Sequence, residues 1–312
     1  MKKIVLVCIA VISSVMLAAC SVKPGFSLEP SFGVDKGEKG EGAVVIGMSI
    51  STLNNPFFVT LTDGAKAKAK DAGAEVMVVD AQDNASKQAS DMEDLIQQNV
   101  DLILVNPVDS AAIAAAIESA NAAGIPVITV DRGSDGGEVI SHIASDNIAG
   151  GVLAGEYMAE LVGEGAKVVE LEGVAGSSAA RDRGQGFNEA AAAKGLNVVA
   201  KQTANFNRSE GLTVMENILQ GNGDVVAVFA HNDEMALGAL EAITALGKNI
   251  KVIGFDATDD AVKAVEAGTM AATVAQKPDV IGLTAMETAL SYLAGEEVPE
   301  NVPVELELII KK

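Results

Sequence analysis

No tryptophan occurs anywhere in the chain, and its aromatics amount to eight phenylalanines and two tyrosines. A ring placed outside a hydrophobic core is therefore informative. Histidine is scarcer still, with only His142 and His231. His142 lies inside the apolar run "VISHIA" and reads as a hydrogen-bonded core or rim residue. His231 stands at the edge of a candidate site, but nothing pairs it with a nucleophile and no Gly-x-Ser-x-Gly elbow occurs. Positive charge is also short: 22 Lys and Arg face 43 Asp and Glu, leaving a formal charge of −21. That balance repels nucleic acid and anionic membrane faces. No dinucleotide fingerprint follows the first strand, since Gly184-Gln185-Gly186 lacks both a third glycine and a preceding strand. No phosphate loop of the Gly-x4-Gly-Lys-Ser/Thr type exists. Nucleotide hydrolysis, nicotinamide chemistry and metal ligation are thus unsupported, and no cofactor is expected.

Cysteine is limited to Cys8 and Cys20. A basic head, Met1-Lys2-Lys3, precedes an apolar run from Ile4 to Leu17, the pattern of an export signal. The run falls short of the roughly 20 residues a spanning helix needs. The following "LAAC" resembles a bacterial lipobox, which implies cleavage before Cys20 and a diacylglycerol thioether on its sulfur. Two acyl chains suffice for stable anchoring. Residues 1–19 are then a lipoprotein signal, and 20–42, rich in Gly, Pro, Ser and charge, a flexible tether. Because Cys8 leaves with the signal, no disulfide is expected in the mature chain.

What the chain has in quantity is apolar sequence, at 49% of 312 residues, enough for two domains with sizeable cores. From Ala43 onward, short apolar runs such as "AVVIGMSI", "DLILVN", "IPVITVD", "AKVVELEG" and "IKVIGFD" alternate with helical patterns. In "NPFFVTLTDGAKAKAKDAG", Phe58, Leu61, Thr62, Ala65 and Ala69 recur at helical spacing. "DSAAIAAAIESANAAG" predicts a helix capped by Asp109 or Ser110 and stopped by Gly124. Strands apolar along their whole length, alternating with helices, predict an α/β fold with parallel sheets covered on both faces. Ten or eleven strands are too many for one sheet here and suit two sheets of five or six.

Several strands end in a polar or charged residue: Asn55 after the first, Asn106, Asp131-Arg132, Asn232, Asp256 and Gln276. In open parallel sheets the carboxyl ends of the strands form the ligand crevice. Turn chemistry also favours Asn and Asp there, but neither Arg132 nor Gln276 is a turn residue. Asp131 and Asp256 with Arg132 and Arg183 sum to zero charge, whereas a site for an anion carries surplus positive charge. A neutral ligand with many hydroxyls fits better, because each hydroxyl donates and accepts, as do Asn55, Asn106, Asn232 and Gln276. Sugar C–H faces prefer flat apolar partners. Phe57 and Phe58 are therefore expected to wall a pocket with Phe206 opposite; the alternative is that one of the pair only anchors its helix on the sheet. Asp131 and Asp256 also admit a glycoside hydrolase reading. Against it, the neighbouring guanidinium groups are expected to lower both carboxyl pKa values, the reverse of what a general acid needs.

The stretches "STLNNPFF", "LVNPVDS", "VITVDR", "SHIASDNIAGG", "GSSAARDRGQGF", "HNDEMALGAL" and "VIGFDAT" closely resemble the periplasmic sugar-binding proteins of the type I fold, the ribose binders in particular. The likeness runs from about residue 43 to the C-terminus. It implies two Rossmann-like lobes joined by a three-strand hinge, with residues 43–145 and 277–305 in the first lobe and 146–276 and 306–312 in the second. It implies sugar contacts at Ser51, Asn55, Phe57, Phe58, Asn106, Asp131 and Arg132 from the first lobe, and at Arg183, Phe206, Asn232, Asp256 and Gln276 from the second lobe and hinge border. It further implies no catalysis, D-ribose as the monosaccharide, a monomer, and a permease subunit of an ATP-binding cassette importer as partner. With Cys20, this places the protein outside the cytoplasm, held to a bacterial membrane by lipid alone. The missing tryptophan agrees, because galactose binders of this family stack one on their sugar. Another sugar or a furanone signal remains open within the family. A sugar-responsive repressor of the same fold needs a DNA-binding head, where residues 1–42 hold a lipobox and tether. His231 departs from the pattern, which has an uncharged polar residue there, and "GKNIKVIGFD" is one residue short.

Overall fold

The computed structural model describes residues 42–312; Cys20, the signal and all but the last residue of the tether lie outside them. Two six-stranded sheets organise these residues. The first contains β1 (Val45–Ile50), β2 (Glu75–Asp80), β3 (Leu102–Val105), β4 (Val127–Val130), β5 (Ser141–Ser145) and β11 (Asn301–Val304), in the order β11-β5-β4-β3-β1-β2. The second repeats that order with β6 (Lys167–Glu172), β7 (Asn197–Thr203), β8 (Ala227–Ala230), β9 (Lys251–Asp256), β10 (Ala272–Ala275) and β12 (Glu307–Ile310), as β12-β10-β9-β8-β6-β7. Every pairing is parallel except that of β10 with β12. Chain order and pattern predict ten or eleven strands where twelve form; those without an apolar run to mark them are β11 and β12. Both are short edge strands, largely exposed or half-buried, and Pro303 interrupts the first. Neither shows the apolar run that marks a central strand.

The first lobe adds helices α1 (Pro56–Ala72), α2 (Ala85–Gln97), α3 (Ala114–Ala122) and α9 (Pro278–Leu293); the second adds α4 (Asn147–Val162), α5 (Ser178–Ala193), α6 (Arg208–Gly221), α7 (Asp233–Ala245) and α8 (Asp259–Ala267). The chain passes between lobes three times: from β5 to α4, from β10 to α9, and from β11 to β12. This is the three-strand hinge. None of the described helices is long and apolar enough to cross a membrane.

Local sequence accounts for the elements that carry polar groups. The Asn55 carboxamide accepts from the Phe57 amide at 2.9 Å and Pro56 opens the helix, so α1 starts directly behind β1. Phe58, Leu61, Thr62, Ala65 and Ala69 are buried along its inner face as their spacing predicts. The α3 segment differs from expectation. Asp109 Oδ1 accepts from the amides of Ala111 and Ala112, closing a separate turn, and the helix begins only at Ala114. Gly124, at φ 75°, terminates it. In the second lobe, Gly151 on α4 and Gly186 on α5 face the partner helix's backbone, where a Cβ would overlap a carbonyl oxygen. That close approach seats α5 on α4.

Candidate functional site

Ten of the twelve expected residues meet around one cavity at the carboxyl ends of the two sheets, with about 220 Å³ unfilled by protein atoms. They are Asn55, Phe57, Phe58, Asp131, Arg132, Arg183, Phe206, Asn232, Asp256 and Gln276, joined by Ala179. Ser51 and Asn106 stand behind this lining. The Asn106 Oδ1 accepts from the Ser51 amide at 3.2 Å, and its Nδ2 donates to the Val130 carbonyl at 3.0 Å and more weakly to Asp131 at 3.4 Å. Asn106 thus ties β1 to β4 and braces Asp131.

Each guanidinium is seated by backbone and ring faces. Arg132 Nη1 donates to the Pro107 carbonyl at 3.2 Å, and its guanidinium lies 5.0 Å from the ring centres of both Phe58 and Phe206. Arg183 Nε donates to Asn147 Oδ1 at 2.8 Å and Nη1 to the His231 carbonyl at 2.6 Å, with the guanidinium 3.9 Å from the Phe255 ring centre. Phe57 and Phe58 pack edge to face at 5.2 Å. Both are buried and belong to the first lobe's hydrophobic core, while Phe206 belongs to the second lobe's. Wall and anchor are therefore one role for these rings.

The carboxylates stand near the guanidiniums without bonding to them: Arg132 Nε lies 3.7 Å from Asp131 Oδ2, and Arg183 Nη1 lies 3.8 Å from Asp256 Oδ1. This overturns the expected lowering of their pKa values. Burial raises both Asp131 and Asp256, and the guanidiniums only partly offset it. Burial likewise lowers Arg132 and Arg183. At nearly 4 Å, attraction without a hydrogen bond does not replace the lost hydration. The pKa argument against a general acid falls with that expectation.

Three buried polar atoms on the cavity lining form no hydrogen bond within the protein: Asp131 Oδ1, Arg132 Nε and Gln276 Oε1. An acceptor, a donor and an amide oxygen left in this way match a ligand that both donates and accepts. Other amide groups are committed to the fold. Asn232 Oδ1 caps α7 by accepting from the Met235 amide, and its Nδ2 donates to the Phe206 carbonyl; Gln276 Nε2 donates to Asp256 at 2.8 Å. His142 shares a 2.8 Å hydrogen bond with Thr129 on the neighbouring strand. His231 turns away from the cavity, its Nε2 2.9 Å from buried Glu170. Among the described residues no cluster of His, Cys, Asp or Glu is arranged to hold a metal ion.

Sequence reasoning missed Ala179, Asn147, which orients Arg183, and Gln88. The Gln88 side chain bonds Ser49, the Asn106 carbonyl and the Val108 amide. Asn147 lies within a quoted stretch, but only the packing of α4 against α5 brings it to Arg183.

Residues 46–297 match the family model described as a periplasmic binding protein domain. The chain belongs to the periplasmic binding protein family. Among curated proteins, it is 53% identical over the full length of both chains to the ribose import binding protein RbsB of Bacillus subtilis. It is 52% identical to the RbsB of Escherichia coli, over 86% of this chain and 90% of that one. Of solved structures, the Caulobacter myo-inositol binding protein with bound myo-inositol superposes with a TM-score of 0.83 at 35% identity, covering 87% of this chain and 94% of that one. The two-lobed α/β architecture expected from the sequence is this family's.

Proposed function

We propose that this chain is the substrate-binding component of an ATP-binding cassette importer and that its ligand is D-ribose. The observation that carries the reading is the cavity's lining: two carboxylates and two guanidiniums in balance, three buried polar atoms without a hydrogen bond in the protein, and ring walls from both lobes. Such a lining suits a neutral polyol, and the high identity to ribose import proteins narrows it to ribose.

The sugar-contacting residues are those that line the cavity, with Ser51 and Asn106 completing the set expected from the resemblance. The first lobe comprises 43–145 and 277–305, and the second 146–276 and 306–312. Contacts divided between lobes favour closure, because only the closed form satisfies both halves of the site. Direct bonds add to this: the Ser110 amide donates to the Gly176 carbonyl, the Ser178 amide to Ser110 Oγ, and the Gly133 amide to Ser178 Oγ. The closed form docks on the permease, no chemistry occurs on the sugar, and the protein acts as a monomer. Lipid on Cys20 tethers it outside the cytoplasmic membrane.

A thermal-shift screen of aldoses and cyclitols tests the ligand. At a hundredfold excess over Kd, binding stabilises the fold by about 2.7 kcal/mol, so ribose is expected to raise Tm by several degrees and exceed allose, xylose and myo-inositol. A shift with myo-inositol and none with ribose overturns the assignment. Release of product from aryl glycosides would restore the hydrolase reading. For the anchor, replacing Cys20 with Ala is expected to release the protein from the membrane fraction, and retention would refute lipidation there.

A further inference from the structure

The turn after β9 carries two consecutive non-glycine residues at positive φ, Asp256 at 120° and Ala257 at 56°. L side chains seldom adopt these conformations, so neighbouring structure must hold them. The holding group is Asp233, buried at the start of α7 and absent from the cavity lining. Its Oδ2 accepts from the Thr258 amide at 2.8 Å and the Thr258 hydroxyl at 3.2 Å. Its Oδ1 accepts from the Thr273 hydroxyl on β10 at 2.7 Å, and Thr273 Oγ1 in turn accepts from the Ala257 amide at 3.2 Å. Both amides that follow Asp256 therefore end on one carboxylate, one directly and one through a single hydroxyl. Gly254 makes the arrangement possible, because a Cβ there would overlap Asp233 Oδ1.

We propose that Asp233, with Thr273 as its relay, is a positioning residue that fixes the turn directing Asp256 at the sugar. The proposal rests on the reading of Asp256 as a sugar contact. Asp233 touches no ligand; it selects the one backbone conformation in which the Asp256 carboxylate meets both Gln276 and the cavity.

Calorimetric titration of the mature protein with D-ribose tests this using Thr273→Val, Thr273→Ser, Asp256→Asn and the double variant Thr273→Val/Asp256→Asn. Valine matches the shape of threonine in a buried strand but cannot receive the Ala257 amide; serine can. Thr273→Val is expected to weaken ribose binding about tenfold or more, Thr273→Ser about twofold at most, and the double variant little beyond Asp256→Asn alone, as for two residues acting as a unit. Equal affinity of the valine and serine variants, or losses that simply add in the double variant, overturns the proposal while leaving Asp256 as a contact. Undiminished affinity in Asp256→Asn sinks the underlying reading and the proposal together. Asp233→Asn is a second probe; should it fail to fold, the threonine variants still decide the matter.

Discussion

Asp131 and Asp256 occupy the same place in the two lobes. Each stands at the end of the third strand in its sheet order, each is buried at positive φ (63° and 120°), and each lies just under 4 Å from a guanidinium. The ligand cavity is thus built by one device used twice, with the two carboxylates facing it from opposite lobes.

Equivalent placement predicts comparable roles. Replacing either Asp with Asn removes a charge-assisted acceptor, worth about 1.5–3 kcal/mol. Ribose binding is expected to weaken about 10- to 150-fold in each variant. Calorimetric titration measures this, and a variant with wild-type affinity would show that its carboxylate is not gripping the ligand.

Arg132 lies between the Phe58 and Phe206 rings, one from each lobe, and so links them across the cavity. Arg132→Lys keeps the charge but loses the flat fork that faces both rings. With cation–π contacts worth about 0.5–2 kcal/mol each in such sites, the variant should bind ribose about tenfold or more weakly. An unchanged dissociation constant would mean that charge alone matters at this position.

Gly173 makes space for the Phe206 ring, which a Cβ there would overlap. Gly173→Ala is expected to displace the ring, costing about 1–3 kcal/mol of stability as overpacking does, and to reduce ribose affinity. Gly223, whose Cβ would meet nothing within 4 Å, supplies the matched control. Equal melting temperatures and affinities for the two alanine variants would contradict this packing.

Burial raises the pKa of Asp233 from 3.8 to about 7. Between those values the folded protein holds a proton that the unfolded chain has released, so this contribution to stability is greatest below pH 3.8 and is lost as pH rises through about 7. The unfolding free energy of the wild type minus that of Asp233→Asn should therefore fall between pH 4.5 and 7.5, with a slope of at most about 1.4 kcal/mol per pH unit per proton. Asp256, raised in the same direction partly by Asp233, relaxes in the variant and adds in the same sense. Calorimetric melting across that range checks the sign, and parallel curves would refute it.

Much of this site is legible in sequence because its residues sit where strands end. Polar groups after apolar runs mark the carboxyl edges of the sheets, and Asn55-Pro56 marks a helix start. What escaped notice has no local signature. β11 and β12 are short and partly exposed. Ser110 reads as a helix cap but bonds across the cleft to Gly176 and Ser178. Asp233 opens α7, where a favourable dipole alone would explain an acidic residue, yet it organises a turn reached through Thr273 on another strand.

The sequence by itself determined the alternating parallel architecture, the polar strand ends and the balance of charge, because periodicity, turn chemistry and formal charge belong to neighbouring residues. Only the tertiary structure decided which groups face the cavity, that Ser51 and Asn106 stand behind it, and that the Asp131 and Asp256 pKa values rise instead of falling. Desolvation and hydrogen-bond distance depend on what the rest of the chain packs around a side chain, and adjacency in sequence carries no measure of either.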